Sequence, residues 1–160
     1  MPSTLADYLK MAAASALGFW ILTALLAYLS PVEPLHALTA LGLMFSAQAT
    51  LYKIKLASDP SYEIRGCGCG KGRADETAAV LRSRESATLG IPNSVLAILL
   101  YAGLIASLAG GYHDSTVALA GLAVAASAYF GYVMVFRLGS LCATCVNIAA
   151  LNILILLQLA

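Results

Sequence analysis

Long apolar stretches separated by short polar breaks run the length of the chain. Five of them reach, or nearly reach, the roughly 20 predominantly apolar residues that a helix needs to cross a bilayer: residues 11–29, 35–51, 91–109, 117–136 and 141–159. Helix is the reading for all five, because an open backbone in lipid leaves its N–H and C=O groups unpaired. The breaks carry turn signals. Ser30-Pro31-Val32-Glu33-Pro34 stops one helix and starts the next, Gly110-Gly111 leads into His113-Asp114, and Gly139-Ser140 precedes the last stretch. One connection differs from the rest. Residues 52–90 hold most of the charged side chains, Pro60 and two of the four cysteines. A connection that long in a compact fold points to a functional loop.

Composition sharpens this picture. Of 160 residues, 61% are hydrophobic and 11% charged, with a mean hydropathy of +0.85. These values lie outside the range of soluble domains and fit a multi-pass protein of the cell membrane, in contact with lipid. A net charge of +1 gives nucleic acid no electrostatic footing. The first apolar stretch follows Asp7 and Lys10 and has no small-residue cleavage site, so it reads as retained. Small residues such as Ala120 to Ser127 suit close helix packing.

Charge also sets an expected orientation. With five spans, Lys10, Lys53, Lys55, Arg65, Lys71, Arg73, Arg82, Arg84 and Arg137 all fall on the side of the long loop. The excess of basic residues on cytoplasmic faces then puts the loop in the cytoplasm, with the extracytoplasmic side as the alternative.

The chemistry is in the cysteines. Cys142 and Cys145 open the last apolar stretch at a spacing of three, which puts them on one helix face within disulfide reach. Free N–H groups at a helix start favour a thiolate there, so redox exchange is a better reading than two inert buried thiols. Cys67 and Cys69 sit in Gly66-Cys67-Gly68-Cys69-Gly70. A Cys-x-Cys ring is small and strained, hence labile and oxidising. The glycines allow unusual backbone angles, and Arg65, Lys71 and Arg73 favour thiolates. The residues alone leave a second reading open, a thiolate metal-binding or metal-transporting membrane protein with an ion among the four sulfurs. A non-catalytic scaffold for a redox partner is a third.

Three segments resemble the vitamin K epoxide reductase family. Ser83-Arg84-Glu85-Ser86-Ala87-Thr88-Leu89-Gly90-Ile91-Pro92 is similar to the serine and Gly-Ile-Pro that open a helix there. Leu138-Gly139-Ser140-Leu141-Cys142-Ala143-Thr144-Cys145 resembles the start of its redox-active last helix, and residues 44–55 its helix leading into the cysteine loop. The resemblance covers residues 36–159 and is of the bacterial or archaeal disulfide-forming kind, with the basic bias matching inverted, cytoplasm-facing members.

The resemblance implies an all-α membrane protein, a four-helix transmembrane bundle over residues 35–160 with its cysteine loop at 52–90. Residues 1–34 are then one extra N-terminal transmembrane helix. It implies a thiol:quinone oxidoreductase that makes protein disulfides, with a quinone of the ubiquinone or menaquinone type as cofactor and a thioredoxin-like protein disulfide oxidoreductase as partner. Electrons would pass from the partner to Cys67/Cys69, then to Cys142, and from Cys145 to the quinone. Ser83 matches the serine of bacterial members, and Ser86 takes the place of the vertebrate quinone-binding asparagine. Thr77 stands where the family has its second loop cysteine. Ala149 stands where vertebrate members have a ring-contacting tyrosine, which points toward a respiratory quinone rather than vitamin K epoxide.

Polar side chains at membrane depth complete the candidates, since they are costly there unless used. Asn93, at a helix start, is a third candidate for the quinone on its polarity. Tyr101 and Asn152 are either helix glue or pocket wall, Asn152 lying two turns beyond Cys145 on the same face. No resident metal is expected under the leading reading.

Overall fold

The computed structural model describes residues 34–59, 61–64, 71–88 and 90–159. The expected first span and both loop cysteines, Cys67 and Cys69, lie outside the described residues. Five α-helices are described: α1 Pro34–Ser58, α2 Lys71–Arg82, α3 Asn93–Ala109, α4 His113–Tyr132 and α5 Ala143–Leu159. A 3₁₀ turn, Arg84–Ser86, and a two-residue hairpin of β1, Ala87–Thr88, with β2, Ile91–Pro92, precede α3. Gly90 closes the hairpin at φ +81°, a conformation that residues with a Cβ rarely adopt.

Four of the helices form the bundle. α1 packs on α3 and α5, and α4 on α3 and α5, around Leu38, Leu41, Tyr101, Leu104, Ala120, Leu151 and Ile155. Two of its buried hydroxyls are paired within it. Ser46 donates to the Gly42 carbonyl at 2.8 Å, and Thr116 to Ser107 at 2.9 Å. α1 approaches α3 closely at Gly42, which lies buried against the ring of Tyr101. Large apolar side chains face outward along the bundle, among them Met44, Leu99, Leu122, Phe136 and Leu157.

The long connection carries helix of its own. The connection expected at 52–90 contains helix among its described residues: α1 continues to Ser58, and α2 occupies 71–82. α2 is amphipathic, with Thr77, Val80 and Leu81 buried at helical spacing and Asp75 and Arg82 exposed. Leu81 packs with Tyr52, Leu56 and Ile64, and Val80 packs with Met134 and Cys142.

The spans also differ in length. Among the described residues, one helix, His113–Leu138, is long and apolar enough to cross a membrane by itself, at 26 residues. α3 and α5 have 17 residues each, about 26 Å of helix at 1.5 Å per residue. Pro92 and Cys142 delay their starts by taking the N-cap positions. The last turn of the long helix, Val133–Leu138, widens to π geometry and stops at Gly139, φ +58°, whose N–H and that of Ser140 return to the Met134 carbonyl. That reversal sets Cys142 at the head of α5.

Candidate active site

Cys142 acts as the N-cap of α5. Its carbonyl accepts from Val146 N–H at 3.0 Å, and its Sγ accepts from Cys145 N–H at 3.3 Å. This is the bond a capping serine or aspartate would make, here given to sulfur. Both cysteines are free thiols. Cys142 is fully buried among Val80, Met134, Leu138 and Leu141, whereas Cys145 is half-buried and packs beside it. The Thr77 hydroxyl interacts with the Cys142 thiol but completes no well-formed hydrogen bond among the described residues.

Cys145 lines a cavity of about 770 Å³ between the helices, a size that suits a small organic ligand. Its walls are mostly apolar: Ala49, Val80, Leu96, Ala97, Leu100, Leu119, Ala126, Phe130 and Ile148. The five polar residues anticipated from the sequence, Ser83, Ser86, Asn93, Tyr101 and Asn152, line the same cavity. The structure thus brings together six of the nine anticipated residues. Cys142 sits just behind Cys145, and Cys67 and Cys69 fall outside the described residues.

The hydrogen bonds of these polar residues are mostly internal. Tyr101 donates to Asn152 Oδ1 at 2.6 Å, and the Asn152 amide donates to Ser127 Oγ at 2.8 Å and the Ala123 carbonyl at 3.3 Å. One network thereby joins α3, α5 and α4, so Tyr101 and Asn152 are helix glue as well as cavity wall. Ser83 donates to the Val80 carbonyl at 2.7 Å. Ser86 sits 2.7 Å from the Ser83 carbonyl and 2.9 Å from that of Leu81. Asn93 donates to the Glu85 carbonyl at 2.9 Å and accepts from Thr88 at 2.7 Å, with one amide hydrogen left over.

The sequence reading does not reach several other polar lining residues, Lys53 and Ser94 among them. From the sequence Lys53 reads only as a charge marking orientation, yet its ammonium donates to the Ser86 carbonyl at 3.0 Å and to the Ser86 hydroxyl. Ser94 lines the cavity and has a buried hydroxyl with no partner among the described residues. The signal for Lys53 was its position one turn past Ala49, on the inward face of α1. Among the described residues no three His, Cys, Asp or Glu side chains cluster to hold a metal. The rival four-thiolate site needs Cys67 and Cys69.

Comparison with known protein families matches residues 34–159 to the vitamin K epoxide reductase family. The chain belongs to that family. Its members are integral membrane, quinone-linked oxidoreductases built as helical bundles, and the chain shares that general character. No curated protein matches the chain.

Proposed function

We propose that this vitamin K epoxide reductase family member is a thiol:quinone oxidoreductase that generates protein disulfides, with Cys145 as the sulfur facing the quinone. The observation that carries the reading is the position of Cys145 on the wall of a largely apolar cavity that also holds polar donors. A quinone fits these residues: the apolar walls suit its ring and tail, and the unpartnered Ser94 hydroxyl suits a carbonyl oxygen. When bound, a quinone supplies a two-electron, two-proton acceptor.

The chain's own groups do the rest. Ser83, Ser86, Asn93, Tyr101 and Asn152 shape and polarise the cavity. Cys142 exchanges with the loop pair Cys67/Cys69 through a mixed disulfide, and the loop pair takes electrons from a thioredoxin-like partner. Closing the Cys142–Cys145 bond sends electrons toward the cavity. Purified protein supplied with a small dithiol should reduce a quinone anaerobically. In the same assay Cys67→Ser should still do so but should no longer oxidise a thioredoxin-like protein. Loss of both activities, or of neither, rejects the relay.

The basic residues flanking the loop support a cytoplasmic-face position for this chemistry in a multi-pass bundle. The outward-facing apolar side chains support several spans. On intact, reduced cells, a membrane-impermeant maleimide should leave Cys67 and Cys69 unlabelled until the membrane is opened. Labelling from outside would reverse the orientation.

A further inference from the structure

We infer that Lys53 is the proton donor at the polar end of the cavity, serving the carbonyl oxygen of a bound quinone; this rests on the quinone reading above. Lys53 is half-buried on the wall of a mainly apolar space. Two of its three N–H donors go to Ser86, which leaves one for a ligand. Among the described residues no carboxylate stands within ion-pair distance of it. Burial draws its pKa below the usual lysine value, which eases release of a proton. A half-buried cation with no counter-ion among the described residues favours a ligand that gains electron density during the reaction.

The neighbouring features point the same way. Lys53 is fastened to Ser86, and Asn93, the first residue of α3, to the adjacent Glu85. The ammonium and the positive end of the α3 dipole therefore flank one turn. Ser94, next along α3, keeps its buried hydroxyl unpartnered. The other titratable groups on the cavity wall are Glu85, Tyr101, Tyr129 and Cys145.

The balance closes. Forming the Cys142–Cys145 bond releases two electrons and two protons, the number needed to turn a quinone into a quinol. Lys53 hands over one proton and regains one from the aqueous side, and the second proton comes from solvent, so the ammonium ends as it began.

The test uses the full-length protein in detergent with a short-chain ubiquinone and with menadione. Lys53→Met should lower kcat for quinone reduction about 10²-fold, the scale for loss of one preorganised donor. Lys53→Arg keeps the charge and the strap to Ser86 but holds its proton too tightly to give it up. It should restore KM and equilibrium quinone binding while kcat stays at least about 10-fold below wild type. Oxidation of Cys142 and Cys145 by diamide should proceed at the wild-type rate in both variants.

A Lys53→Met kcat within threefold of wild type overturns the proposal. So does a Lys53→Arg kcat equal to wild type, which would make Lys53 a strap and a charge only. If Lys53→Met fails to fold, the Lys53→Arg result decides alone. Wild-type protein that neither binds nor reduces either quinone removes the quinone reading and this role with it, whereas failure confined to the variants' expected behaviour removes only Lys53.

Discussion

Cys145→Ser is expected to abolish quinone reduction, with turnover falling at least about 10³-fold, as removal of an essential nucleophile does elsewhere. Among the described residues Cys145 is the only thiol on the cavity wall. A serine there keeps the size and a donor but can neither form the bond to Cys142 nor release electrons by doing so. The fold should tolerate the change, because the contribution of Cys145 to capping is its backbone N–H, which remains. Anaerobic quinone reduction driven by dithiol is the assay, with quinone binding measured alongside to show an intact cavity. Residual turnover above about 1% of wild type would mean that another group faces the acceptor.

Gly42→Ala is expected to be the most damaging single change to the fold. A Cβ at position 42 would fall within the ring of Tyr101. Tyr101 is fully buried and cannot swing aside freely, because its hydroxyl is fixed to Asn152, which is itself tied to Ala123 and Ser127. Overpacking of this kind costs about 1–3 kcal/mol, and disrupting the buried bond adds about 1 kcal/mol. The apparent unfolding temperature in detergent should drop markedly. Gly42→Ala combined with Tyr101→Leu should recover part of the loss, and the coupling between the two sites should exceed about 1 kcal/mol. Strict additivity would show that α1 and α3 do not meet here as described.

Much of this arrangement was readable from the chain. The apolar runs located four helices, the cysteine spacing marked the head of the last, and Ser83, Ser86 and Asn93 were already gathered by their nearness to the Gly-Ile-Pro turn. The unread parts depend on tertiary contacts. α2 hides in a polar segment, and its buried face is only Thr77, Val80 and Leu81, too short a stripe to stand out without the partners it covers. The Tyr101–Asn152 bond joins residues 51 apart in sequence. It shows the two joining helices, a role that polarity alone could not assign. Lys53 looked like one more surface charge because nothing local reveals that Ser86, 33 residues on, folds back to meet it.

The sealing of Cys142 beneath α2 has a cost-saving side for the cell. A folded protein presenting a cysteine on its surface has no room to touch a sulfur covered by Val80. A small dithiol or a sulfur on a tether is slim enough to slip in, and Cys69 stands two residues ahead of the helix that does the covering. Under the proposed relay, the membrane's pool of oxidant would thereby be insulated from indiscriminate short circuits: bulky bystanders would be sieved out, and a protein's electrons would arrive through the wire the chain itself provides.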